Sequence, residues 1–104
     1  MARLAAFTIP GLECYIPSGD HLPPHIHVRK PGAWEIKVLI NHVHHGNPEL
    51  PYLPVRPRHP SRKGQVPSPR ELQPLREAIL AHRRALLREF HAVTTGAARP
   101  GKTP

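Results

Sequence analysis

Three histidines lie in one short run whose residue types suit metal binding or proton transfer. Residues 20–28 read Asp-His-Leu-Pro-Pro-His-Ile-His-Val. His25 and His27 are two positions apart, so on a strand both side chains point to one face. The stiff Leu-Pro-Pro spacer keeps His21 close behind them. Three converging imidazoles can hold Zn²⁺ or another transition metal and leave one position for water. The run therefore offers His21, His25 and His27 as a candidate metal site.

The same run also suits proton transfer without a metal. Histidine titrates near neutrality, so His25 and His27 can serve as general acid and base. Glu35 can orient one imidazole or act as a base itself, and Arg29 and Lys37 can bind a phosphate or stabilise developing negative charge. With RNA as the substrate, these residues predict a metal-independent ribonuclease, either a hydrolase or a transferase. The alternative is a solvated polar face whose histidines have no chemical role.

The remaining histidines are weaker candidates. His42, His44 and His45 form a run that can bind metal, but histidine runs in exposed loops often bind metal without specificity. His59 falls in a basic loop, and no chemistry is assigned to it. His82 falls on the apolar stripe of a predicted helix, so we expect it to be packed and hydrogen-bonded.

The positive charge of the chain is concentrated in its second half. Residues 1–50 carry four Lys/Arg and four Asp/Glu, whereas residues 51–104 carry eleven and three, which gives the whole net charge of +8. A basic surface of this kind suits an anionic partner, most simply nucleic acid. Arginine-rich composition and ordinary solubility explain the charge equally well. If the partner is nucleic acid, we expect Arg56 and Arg58 to bind its phosphates.

Short strands are expected to position these residues. Residues 3–9 and 12–16 are strand-like, and Pro10-Gly11 between them suits a type II turn. Residues 25–29 and 34–40 form the next pair, joined by a turn at Lys-Pro-Gly.

The register of this second hairpin follows from placing its apolar residues on one face. The apolar face then carries two cross-strand pairs, Ile26 with Ile36 and Val28 with Trp34. The opposite face carries two polar pairs, His27 with Glu35 and His25 with Lys37. We therefore expect the histidines to face solvent or a partner.

A proline-rich segment and a helix complete the chain. Residues 41–67 are predicted to be an irregular loop, in which prolines recur every three residues from 48 to 60 with the period of a polyproline II helix. Ser68, Pro69 and Glu71 fit a capping box at the start of a helix. Apolar residues then repeat at helical spacing as far as Val93: Leu72, Leu75, Ile79, Leu86, Phe90 and Val93. Pro74 has no amide hydrogen, so the regular helix can instead begin there.

These elements predict an α+β fold, a small antiparallel sheet with a long C-terminal helix packed on one face. Residues 1–96 form a single domain in this interpretation, and residues 97–104 form a disordered tail. The single cysteine, Cys14, is expected in the core, which leaves no internal disulfide. We find neither a signal peptide nor an apolar stretch long enough to span a membrane, so the expected location is the cytoplasm.

The run at residues 20–28 resembles the signature of a small bacterial family catalogued as domain of unknown function 4160. The resemblance extends to the order of elements: a short N-terminal strand, the histidine run, a hairpin with an acidic residue and a C-terminal helix. The proline-rich stretch at 48–67 departs from the family pattern. The resemblance implies a toxin–antitoxin-like component that acts on RNA and is encoded beside a second small protein. It supplies no established catalytic residues.

Three hypotheses follow. The leading one is an RNA-directed protein that binds or cleaves RNA through a histidine-rich face. The second is a transition-metal-binding protein that uses His21, His25 and His27. The third is a non-enzymatic module that binds the product of a neighbouring gene through its helix, a sheet edge or the proline-rich arm.

Overall fold

An antiparallel sheet and two helices make up the computed structural model, which describes residues 2–17, 23–55 and 66–95. The five strands are adjacent in chain order: β1 (Ala2–Arg3), β2 (Glu13–Ile16), β3 (His25–Lys30), β4 (Trp34–Leu39) and β5 (Leu53–Pro54). A 3₁₀ turn at Ile40–His42 follows β4. The helices are α1 (Pro69–Ala81) and α2 (Arg83–Thr95). The α+β prediction is confirmed, but the expected single helix is divided in two.

The hairpin of β3 and β4 has a tighter turn than the apolar pattern predicts. Lys30 pairs directly with Trp34, and the Ala33 N–H donates to the Lys30 carbonyl at 2.9 Å. Gly32 has φ +77°, the left-handed value that a type II turn requires after Pro31. This turn moves the register by two residues, which leaves every side chain on its predicted face.

The shift replaces all four predicted cross-strand pairs. On the apolar face, Ile26 opposes Val38 and Val28 opposes Ile36. On the other face, His27 opposes Lys37, His25 opposes Leu39, and Arg29 opposes Glu35. Apolar matching determined the faces correctly but not the register, because pairings two residues apart bury equivalent sets of side chains.

The N-terminal segment forms less strand than its sequence suggests. The turn at Pro10 and Gly11 is confirmed, because the Leu12 N–H donates to the Ile9 carbonyl at 3.1 Å and Gly11 has φ +83°. The predicted strand over 3–9 is wrong, since β1 covers only Ala2–Arg3 and the last backbone bond to β2 is that from the Leu4 N–H to the Cys14 carbonyl at 2.9 Å. Beyond it, the chain turns towards α2.

A carboxylate replaces the missing strand pairing. The Ala5 and Ala6 N–H groups donate to the two carboxylate oxygens of Glu89, at 2.6 and 2.9 Å. Hydrogen bonds to a charged acceptor are stronger than those of a β-ladder, so Glu89 ties the N-terminal segment to α2.

The region expected to be wholly irregular contains the fifth strand. Ile36 and Lys37 of β4 pair with Pro54 and Leu53, and the Val55 N–H donates to the Glu35 carbonyl at 3.0 Å. Proline is tolerated here because β5 is an edge strand, where a missing amide hydrogen breaks no central ladder.

The predicted capping box is present at the start of α1. The Ser68 hydroxyl accepts from the Glu71 N–H, and the Glu71 carboxylate accepts from the Ser68 N–H. The helix begins at Pro69 and contains Pro74, so the alternative start at Pro74 is wrong. His82 has φ −118° and ψ 21° and separates α1 from α2, although the backbone bonds on either side of it persist.

One core lies between the sheet and the helices. Both helices contribute buried residues to it: Leu75, Ile79, Leu86, Phe90 and Val93. Cys14 is buried as predicted, and this burial raises the pKa of its thiol to about 11. An uncharged thiol at neutral pH is a packing residue rather than a nucleophile.

Candidate functional site

Strand pairing gathers seven polar residues on the face of the sheet opposite the core. We call this surface the polar sheet face; its members are Arg3, Glu13, Tyr15, His27, Arg29, Glu35 and Lys37. Their sequence neighbours on the strands, such as Cys14, Ile26 and Val38, are buried. The face therefore arises from simple alternation along the strands.

Four of these residues form a line across the sheet. Arg3 opposes Tyr15, Tyr15 opposes His27, and His27 opposes Lys37. We call these four residues the cross-strand row. Neighbouring strands lie about 4.8 Å apart, so the row spans roughly 14 Å. It has a cation at each end, two ring side chains between them and no carboxylate.

A second cross-strand line, made of Glu13, Arg29 and Glu35, lies beside the row, and its positive charge is paired with carboxylates. Arg29 donates to the Glu13 carboxylate at 2.7 Å, and the Tyr15 hydroxyl donates to the same carboxylate. The Tyr15 hydrogen bond and then the Arg29 contact hold the pKa of Glu13 below its ordinary range, and Glu13 in turn raises the pKa of Arg29. The guanidinium carbons of Arg3 and Arg29 lie 5.9 and 5.8 Å from the centre of the Tyr15 ring. These contacts are within cation–π range, so they fix the position of the ring.

His25 does not face solvent, so this part of the sequence interpretation is wrong. The residue is 2% exposed, and its ring centre lies 5.8 Å from that of Phe90. Its Nδ1–H donates to the Pro23 carbonyl at 2.9 Å. Because α2 packs Phe90 against this end of β3, His25 is out of reach of a substrate as large as RNA. Of the predicted acid–base pair of His25 and His27, His25 is therefore inaccessible to RNA.

His27 is the accessible member of the pair. Its side chain is 19% exposed, and its ring centre lies 5.6 Å from that of His25. The Nδ1 atom lies 3.6 Å from a carboxylate oxygen of Glu35, although Glu35 is diagonal to it in the register. The predicted neighbours Glu35, Lys37 and Arg29 therefore do surround His27.

The other predicted site residues lie outside the described residues: His21, Arg56 and Arg58. Among the residues that the structure describes, no group of three His, Cys, Asp or Glu side chains is placed to hold a metal ion. The zinc site of His21, His25 and His27 therefore stays a prediction.

A second candidate surface, not predicted from sequence, lies where α1 meets α2. It is a groove of about 590 Å³, which we call the helix-junction groove. Its lining residues are His44, His45, Leu80, Ala81, His82, Arg83, Arg84, Ala85 and Arg88. Six of these nine carry an imidazole or a guanidinium, and none carries a carboxylate.

Arg76 holds one wall of this groove in place. Its Nε–H donates to the Asn47 carbonyl at 2.9 Å, and its Nη2 donates to the carbonyls of His44 and His45 at 3.4 and 3.3 Å. The bonds attach the loop to α1 and place His44 and His45 in the groove beside the start of α2. Sequence alone gave no sign of this contact, because it joins an arginine to backbone oxygens of a distant loop.

His82 also lines the groove. It is exposed and not packed into the core as predicted, because the break between the helices takes it off the apolar stripe. Its ring centre lies 5.9 Å from that of Phe7. The basic run His-Arg-Arg at 82–84 was the sequence feature that indicated this surface. A single unbroken helix, as predicted, would have placed His82 on the apolar side.

Within the described residues, neither helix has the length and apolar character needed to cross a bilayer. The bacterial family, the two-gene unit and the partner protein stay predictions based on residues 20–28. No family model, curated protein or solved structure matches this chain.

Proposed function

We propose that this protein binds single-stranded RNA on the polar sheet face. The observation that supports the proposal is the cross-strand row, in which Tyr15 and His27 lie between the cations Arg3 and Lys37. Proteins that bind single-stranded RNA commonly stack bases on ring side chains of a sheet and bind phosphates with nearby cations. The row supplies both groups in one line.

The chemistry of the row suits unpaired bases better than a duplex. A base can stack on the Tyr15 ring or on the guanidinium of Arg3 or Arg29, which lie 5.9 and 5.8 Å from the centre of that ring. Lys37 provides a point charge for a phosphate at the far end of the row. The bases of a duplex are already stacked on each other, so they present no free ring surface to Tyr15.

A pair of variants at Tyr15 tests this proposal. Base stacking on an aromatic ring contributes about 1–3 kcal/mol, so Tyr15→Leu should weaken RNA binding roughly five- to hundredfold. Tyr15→Phe keeps the ring and should bind almost as the wild type does. Fluorescence anisotropy with a labelled single-stranded RNA measures both affinities. Equal losses for the two variants would contradict stacking, because both lose the hydroxyl but only one loses the ring.

One contact favours RNA cleavage as a second candidate function. Glu35 lies 3.6 Å from Nδ1 of His27, which suits an imidazole that takes up a proton while a carboxylate stabilises the charged form. His25 has no part in this version, because it is buried. Incubation of the protein with RNA in the presence of a chelator tests it. Cleavage that is lost in His27→Ala would support it, whereas intact RNA or equal cleavage by the variant would reject it.

A further inference from the structure

We propose that the helix-junction groove is a phosphate-binding site separate from the polar sheet face. It collects three arginines and three histidines from two parts of the chain, His44 and His45 from the loop and the others from the start of α2 and its boundary. The proposal stands whether or not the polar sheet face binds bases.

The arginines of this groove are available to an external anion. Within the described parts of the chain, no carboxylate lies within ion-pair distance of Arg83, Arg84 or Arg88. Two basic residues of the sheet differ from them, because Arg29 is bound to Glu13 and Lys30 to Glu71. An arginine that already has a carboxylate partner must lose it to bind phosphate, whereas those of the groove need only lose water.

The spacing of the arginines fits a chain of phosphates. Arg84 and Arg88 are four residues apart in α2, so they lie on one side of the helix about 6 Å apart along its axis. Arg83 is half-buried and precedes Arg84, so it lies about 100° from Arg84 around the helix axis. The planar guanidinium forms two parallel hydrogen bonds to phosphate oxygens, which suits it to this ligand better than lysine.

The dimensions and chemistry of the groove point to phosphate groups rather than to an apolar ligand. Its volume of about 590 Å³ is within the range of small-molecule sites, and six of its nine lining residues carry an imidazole or a guanidinium. No tyrosine, tryptophan or phenylalanine is among its nine lining residues, so imidazoles are the only rings that these residues offer to a base. Phosphates of an RNA backbone and free phosphates such as pyrophosphate share the required chemistry.

The test uses a double variant in the groove and, as a control, a single variant at an exposed arginine outside it, both in the full chain. The double variant Arg84→Gln with Arg88→Gln removes two exposed groove cations. Its α-helix content, measured by circular dichroism, should be unchanged. Arg70→Gln removes one exposed cation at the other end of the helical region, outside the groove. Binding of pyrophosphate and of single-stranded RNA is measured for each protein at several salt concentrations.

We expect pyrophosphate binding to be lost in the double variant and retained in Arg70→Gln. For RNA, log affinity falls with log salt concentration, and each lost phosphate contact makes this slope shallower by about 0.7. The slope of the double variant should therefore be shallower than that of the wild type by about 1.4. Tyr15→Leu should leave pyrophosphate binding unchanged, which separates failure of the groove from failure of the polar sheet face. Binding of pyrophosphate but not RNA would support the groove as a site for free phosphates. Effects on both ligands no larger than those of Arg70→Gln would overturn the proposal.

Discussion

The polar sheet face and the helix-junction groove both combine cations with histidines, but their charges are compensated differently. On the sheet, Arg29 is bound to Glu13, and Glu35 lies beside His27. In the groove, none of the nine lining residues is acidic. The comparison shows that the availability of a cation depends on its neighbours in space and not on the net charge of its segment.

The two surfaces also differ in their rings. The sheet has Tyr15 in the middle of the cross-strand row, whereas the groove has imidazoles and no larger aromatic side chain. We therefore assign bases to the sheet and phosphates to the groove. The basic half of the chain supplies Arg83, Arg84 and Arg88 to the groove, so these three cations accompany His44, His45 and His82 rather than His25 and His27.

The largest expected effect separates the two histidines of β3. His25→Ala should lower the free energy of unfolding by about 2–4 kcal/mol, because it removes a buried ring beside Phe90 and leaves the Pro23 carbonyl without its donor. His27→Ala should cost less than about 1 kcal/mol and should weaken RNA binding instead. Urea denaturation measures both, and equal stability losses would place His27 in the folded core with His25.

A smaller effect is expected at the wall of the groove. Arg76→Met should lower the free energy of unfolding by about 1–3 kcal/mol, since the carbonyls of the His44–Asn47 loop lose their donor. The released loop should weaken pyrophosphate binding and leave the contrast between Tyr15→Leu and Tyr15→Phe intact. Isothermal calorimetry measures the first effect. Unchanged pyrophosphate affinity would show that the loop histidines do not contribute to the groove.

The sequence predicted elements that depend on local chemistry. The turn at Pro10 and Gly11 and the capping box of Ser68 and Glu71 each require only neighbouring residues, and both are present. Alternation of apolar residues also identified the two faces of the hairpin.

Features that depend on distant contacts were missed. The strand over 3–9 is replaced by hydrogen bonds to Glu89, which is more than 80 residues away. The helix break at His82 brings that residue to the groove, and the Phe90 contact buries His25. The hairpin part of the polar sheet face was therefore predictable, because alternation along β3 and β4 determines it. Arg3, Glu13 and Tyr15 were missed, because they join this face only through the pairing of β1 and β2 with the hairpin. The groove was not predictable, because it needs the helix break and the Arg76 contact together.

The contribution of Lys37 alone to the affinity for RNA should be modest. Lys37→Gln should lower the salt slope of RNA binding by about 0.7 and weaken the affinity a few-fold at moderate salt. Pyrophosphate binding should be unchanged, since Lys37 is not part of the groove. Anisotropy titrations over a range of salt concentrations measure the slope. A slope equal to that of the wild type would remove Lys37 from the RNA contact.

The smallest effect on binding is expected at a residue that belongs to neither surface. Hydrogen bonds from Lys30 first, and then from the Ser68 backbone and Trp34, lower the pKa of Glu71 from 4.5 to about 2. A lowered folded-state pKa stabilises the fold above the unfolded pKa, and this stabilisation is lost as the pH falls from about 4.5 towards 2. Glu71→Gln should therefore flatten the acid limb of a stability profile measured by urea melts. RNA and pyrophosphate binding should not change, and a change in either would link the capping box to a binding surface.

The most direct test of RNA binding on the sheet follows backbone amide signals by NMR while single-stranded RNA is added. We expect the signals of Arg3, Tyr15, His27 and Lys37 to shift together, along with a separate group around Arg84 and Arg88. Pyrophosphate should reproduce only the second group of shifts. Shifts confined to the groove, with the cross-strand row unaffected at saturating RNA, would contradict the proposal that the polar sheet face binds RNA.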